Sequence, residues 1–373
     1  MTKQAKSTLP FKIPFCGFAG TSFINCFASV YMFLENIDVG GSDYACRQLE
    51  GKGCNSCGNC AAGGGTPISR QEKYFFLFDT MCGRSSLRLR FDGKPTEMQK
   101  WIGEMGPDAC ATEETIDFLF GFAGYEFRRV TDAASFKSEI AASIAAGKPV
   151  IAKVTSGEWR FRVIIGQDGE KPLCPNFINA QNPPKKAPKL SELATLYIVG
   201  EKIEPRFTLM DGLERIRRVM EYNADEKLWD GYIEKIGMYG DEGLGTTNTE
   251  GKKARMERVA RTMEYTWNCH NFAEVFRNYR EDGGYAYVGI ESMERLRAPA
   301  LRPLWDKISG PCCGYTHDLA WALLGLQECA DWKRHAFHTG YIGEMAELAL
   351  CQLKKNDEGT LDAIQQAIAI LGQ

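Results

Sequence analysis

The chain has 373 residues, 44% of them hydrophobic and 25% charged, which is enough for two domains of ordinary size. A formal net charge of −3 and a pI near 6.0 leave no basic footprint, which argues against a nucleic-acid partner. Pro10 and Pro14 interrupt the apolar stretch an export signal would need, and no window approaches 18 uncharged apolar residues; the sequence therefore predicts a cytoplasmic protein that does not engage a membrane, its 14 cysteines reduced.

Asn25 to Asn36 reads as a helix, with Phe27, Val30, Tyr31 and Leu34 recurring on one face. A loop rich in Gly, Cys and Ser follows over residues 38–71, too long for a plain connector. The aromatic run Tyr74 to Phe78 reads as a strand. Helices are expected over Thr96 to Met105, Thr112 to Phe122 and Ala133 to Ala146; the second carries Glu113 and Glu114 in its first turn, where the helix dipole favours them, and Gly147 stops the third. Extended runs follow at Val150 to Val154, Phe161 to Ile165 and Tyr197 to Val199.

Beyond Thr208 strand signals nearly vanish. Phe207 to Asn223, Lys253 to Arg280, Leu301 to Lys307, His317 to Asp331, Gly340 to Lys354 and Thr360 to Leu371 read as helices, with turns at Gly240 to Gly251 and Gly283 to Gly284. The expected organisation is an α+β domain over residues 1–205 and an all-helical domain over residues 206–373, with Pro205 at the boundary.

A thiol nucleophile works best at the start of a helix, where unengaged N–H groups and the dipole favour the thiolate and can bind a developing oxyanion. The segment Gly20-Thr-Ser-Phe-Ile-Asn-Cys26 offers that setting, with Ser22 or Asn25 as the cap. Further on, Ala146-Gly-Lys-Pro-Val-Ile-Ala-Lys-Val154 is followed by Arg160-Phe-Arg-Val-Ile-Ile-Gly166. These segments, with Ile178-Asn-Ala-Gln-Asn182-Pro183 and the closing Leu190-Ser-Glu-Leu193 and Tyr197-Ile-Val199, resemble in order and spacing the papain-like cysteine peptidase superfamily. The likeness is to its bacteriocin-leader peptidases and the butirosin biosynthesis protein H group, and it covers roughly residues 12–204.

The resemblance implies a papain-like cysteine-hydrolase domain acting as a cysteine peptidase or acyltransferase on a peptide-like or acyl-linked small substrate. Cys26 would attack, Asn25 and the helix N-terminus would hold the oxyanion, and Asn182 would orient a base. The sequence departs from the family at the base: counting back from Gly166, the position of the catalytic histidine is Arg160, and no histidine precedes residue 270. Arginine can hold Cys26 as a thiolate but cannot take or return a proton. Three readings stay open: a catalytically lapsed module in which Arg160 and Cys26 bind a small anionic ligand, a domain that borrows a histidine from the helical half, or a strand placed elsewhere than this count puts it.

Two further sets of residues suggest metal chemistry. Cys46, Cys54, Cys57 and Cys60 contain overlapping C-x2-C pairs that could wrap zinc or an iron–sulfur cluster, and the surrounding glycines give that loop little means of ordering itself without a ligand. His270 with Glu274, His317 with Asp318, and His335 and His338 before Glu344 could converge inside a helix bundle, although buried histidines satisfied by carboxylates are the blander account. The expected partner is a small-molecule or peptide substrate, with homo-oligomerisation left open.

Overall fold

The computed structural model describes residues 7–11, 13, 15–16, 22–37, 70–88, 90, 94–103, 111–156, 160–175, 177–178, 187–231, 233, 272, 275–276, 295, 298–308 and 336–373. Two strands, β1 (Ser7–Thr8) and β2 (Phe15–Cys16), precede helix α1 (Ser22–Leu34). From Phe23 to Met32 every residue of α1 is buried, so the helix is enclosed on all sides rather than laid on a surface. It starts three residues earlier than its apolar stripe predicts.

Helix α2 (Arg70–Met81) replaces the expected strand at Tyr74 to Phe78. Tyr74, Phe75, Phe76, Leu77 and Phe78 are all buried, and a run buried all round shows neither the period of a strand nor that of a helix. The helix-forming Arg70-Gln-Glu-Lys turn before it decides the outcome. Helices α3 (Glu97–Ile102) and α4 (Glu113–Ala123) follow. Thr112 caps α4 by accepting the Thr115 N–H at 3.2 Å, with Glu113 and Glu114 in the first turn as expected.

The main sheet is antiparallel throughout, in the order β3 (Tyr125–Val130), β9 (Leu193–Lys202), β4 (Val150–Val154), β5 (Phe161–Ile164). Helix α5 (Phe136–Ala145) connects β3 to β4. Three short strands, β6 (Gly166–Asp168), β7 (Lys171–Leu173) and β8 (Phe177–Ile178), and a single 3-10 turn (Leu190–Glu192) lie between β5 and β9. Strand alternation sorts the side chains into two layers. Ile151, Phe161, Val163, Tyr197 and Val199 join the core containing α1. Val150, Ala152, Val154, Ile164, Leu196 and Ile198 pack with Phe136, Ile140 and Ile144 of α5.

After Lys202 no strand occurs among the described residues. Helix α6 (Leu209–Asp225) and the C-terminal helix α7 (Ala336–Leu371) send Leu213, Ile216, Ala363 and Ile364 into the core that holds α1, so that core crosses Pro205. Helix α7 runs through the break expected near Gly359. That glycine weakens a helix by about 1 kcal/mol but does not end it, and Thr360 beside it is buried. The architecture is therefore mixed α and β with a long C-terminal helix. Among the described residues no helix is long and apolar enough to cross a membrane.

Candidate functional site

Cys26 is the fifth residue of α1, a full turn inside the helix. Its N–H belongs to the intrahelical ladder and is not one of the unengaged donors of the first turn, which corrects the expectation that the thiol stands at the helix start. The residue is 0% exposed. Burial pushes its thiol far above the ordinary value of 9.0; the Arg162 guanidinium opposes the shift and the Cys174 thiol adds to it. At neutral pH Cys26 is a protonated thiol.

Asn25 is also buried in α1, and its carbonyl oxygen accepts the Ser29 hydroxyl at 3.0 Å. The far end of the helix is pinned to the sheet. Glu35 accepts from the Tyr125 hydroxyl at 2.7 Å and from the Lys202 ammonium at 2.7 and 2.8 Å. The orientation of α1 is thus fixed by partners on two strands.

The register of β5 decides what faces the thiol helix. Phe161, paired with Lys153, turns toward α1, and its ring meets Phe23 edge-on at 5.1 Å and Tyr197 at 6.2 Å. Arg162, paired with Ala152, turns toward the opposite layer, as Arg160 must on the same alternation. Arg160 is exposed, with its carbonyl oxygen accepting the Val154 N–H at 2.8 Å. It does not face Cys26 as the count from Gly166 suggests; the layer that reaches α1 presents a phenyl ring.

Arg162 is 7% exposed and donates from Nη1 to the Phe161 carbonyl at 2.9 Å. Burial lowers its hold on the proton, while Cys26 and Cys174 act in the other direction. Its charge is felt by Cys26 although its Cβ points away from α1. Strand β5 lies at the edge of the four-stranded sheet. Cys174 packs against the α5 layer, and burial pushes its thiol up to about 12 against the pull of Arg162.

Neither Arg162 nor Cys174 stands out in the sequence as a site residue. The signal for Arg162 was present, since two arginines two apart in a strand share a face. For Cys174 there was none, because its neighbours come from distant segments. Asn182, the cysteines 46, 54, 57 and 60, and the side chains of all four histidines lie outside the described residues. Among the described residues no group of three or more His, Cys, Asp or Glu side chains is placed to hold a metal ion.

Chemically, this arrangement offers a sealed neutral thiol and, at the sheet edge, two guanidiniums on one strand face. No protein-family model, no curated protein and no solved structure matches this chain significantly.

Proposed function

We propose that the chain is a papain-like module that has kept its scaffold and lost turnover, and that it binds a small anionic ligand at the edge of the sheet through Arg160 and Arg162. The observation that carries this reading is the pairing of β5: Phe161 takes the place facing the thiol helix where a proton acceptor would be needed. Cys26, fully buried and held protonated, then serves as a packed thiol. The order of thiol helix, paired strands β4 and β5, and closing strand β9 is the order on which the family resemblance rests.

The ligand class follows from the cations. Arg160 adds exposed charge beside the buried Arg162, and a guanidinium fork matches the two oxygens of a carboxylate or phosphate. A second reading, an active cysteine hydrolase or acyltransferase, is favoured by one observation: the charge of Arg162 acts on Cys26 in the direction of the thiolate.

Alkylation of the native chain by iodoacetamide separates the two. A lapsed site modifies Cys26 no faster than the protein unfolds. Rapid modification with an apparent pKa below the ordinary thiol value, lost in Cys26→Ala, would establish the hydrolase reading instead. For the ligand, titration with small dicarboxylates should raise the thermal midpoint in the native chain, and by less in Arg160→Gln.

A further inference from the structure

Trp101 of α3 lies between helices α4 and α6 and carries two arginines on its indole. The guanidinium carbon of Arg215 is 4.3 Å from the ring centroid and that of Arg218 is 4.2 Å away. Arg215 also stacks on Phe118 at 4.5 Å. Stacking uses the face of a guanidinium and leaves its N–H donors available in the plane. Arg215 spends Nε on the Cys82 carbonyl at 3.2 Å and Nη1 on Glu114 at 3.2 Å; its Nη2 is buried and makes no hydrogen bond. Arg218 is exposed and makes no hydrogen bond or ion pair among the described residues.

The acids nearest Arg218 along α6 are engaged elsewhere. Glu214 and Glu221, one turn away on either side, both accept from Arg217, at 2.7 Å and at 2.7 and 2.9 Å. Among the described residues Glu114 alone serves the cluster, and it also accepts the Trp101 indole N–H. Two guanidiniums therefore share one carboxylate. Burial lowers the hold of Arg215 on its proton, and the charge of Arg218 acts in the same direction. Counted over the described residues, the cluster is one negative charge short.

The geometry points to an oxyanion site on α6, in which Arg218 and the unengaged edge of Arg215 grip a carboxylate or phosphate group beside Trp101. Both groups present two oxygens at the spacing of a guanidinium fork, and either restores neutrality. The site involves no residue of β5 and stands whether or not the sheet-edge reading holds.

The test measures the thermal midpoint of the full chain at fixed ionic strength against inorganic phosphate and, separately, acetate. Four proteins are compared: the native chain, Arg218→Gln, Arg160→Gln and the charge-matched Arg128→Gln. Arg218 is exposed, so its replacement should leave the fold intact, which circular dichroism verifies. The expected result is a saturable rise with at least one anion, about tenfold weaker in Arg218→Gln and unchanged in the other two variants. Which anion produces the rise identifies the group recognised. A response of equal affinity in Arg218→Gln overturns the site, as does no saturable response to either anion; a response lost only in Arg160→Gln overturns it while supporting the sheet edge.

Discussion

Two buried thiols, Cys26 and Cys82, and the half-buried Cys174 tie the stability of this protein to alkaline pH. Burial raises Cys26 above its ordinary value of 9.0 and pushes Cys82 and Cys174 up to about 12. Below pH 9 each thiol is protonated in both the folded and the unfolded chain and contributes no pH dependence. Between pH 9 and about 12 the unfolded chain releases these protons and the folded chain keeps them, so stability falls as pH rises. Each thiol contributes a slope of about 1.4 kcal/mol per pH unit once past its unfolded value. Urea midpoints measured from pH 8 to 11 should decline steeply, and the decline should be shallower in Cys26→Ala. That replacement itself, which removes one buried sulfur, should cost about 1 kcal/mol at pH 7. An unchanged slope in Cys26→Ala would mean that the thiol ionises within the fold.

At the scale of single elements, the turn from α4 into β3 rests on one glycine. Gly124 has a φ of +74°, and a Cβ there would lie 2.8 Å from the Ile203 carbonyl oxygen. The strand behind it is committed, since the Ile203 N–H donates to the Gly124 carbonyl at 2.9 Å. Gly124→Ala should therefore destabilise the chain by more than about 1 kcal/mol, from left-handed strain and the clash together, as read from its denaturation midpoint. Gly147→Ala is the control: its φ of +78° carries the strain, but nothing lies within 4 Å of the added Cβ, so its cost should be the smaller of the two.

Elements with a clear punctuation were legible in the sequence. The Thr112 cap with its two acids gave α4, and Lys148-Pro149 followed by a β-branched run gave β4 to the residue. Helix α2 was not legible, because its aromatic run is buried on every side and carries no period. The side of β5 that faces α1 was equally hidden from a count back to Gly166. One residue of register exchanges Arg162 for Phe161, and only the pairing with β4 fixes it.

The whole molecule is held across its length by a polar clamp that no sequence pattern announces. Arg88, which is 2% exposed, donates from Nε and Nη2 to the two carboxylate oxygens of Asp357 on α7, at 2.9 and 2.8 Å. The Trp229 indole N–H donates to the same carboxylate at 2.8 Å, and the Arg88 guanidinium lies 5.6 Å from that ring. The turn carrying Arg88 is tied to α6 by Asn223, which accepts the Arg88 N–H at 3.2 Å and donates to the Ser86 carbonyl at 2.7 Å. Partners 269 residues apart thus meet in a place largely closed to water. Removing only the carboxylate, as in Asp357→Leu, takes the bidentate Asp357 carboxylate from a buried guanidinium and should cost about 3–5 kcal/mol. Replacing both partners, Arg88→Met with Asp357→Leu, removes the charge as well as the bond and should recover much of that loss. Urea denaturation of the native chain, the two single variants and the double variant closes the cycle. If the losses simply add, the clamp contributes no coupling, and the C-terminal helix is docked without it, by packing that includes Ala363, Ile364 and Ala367.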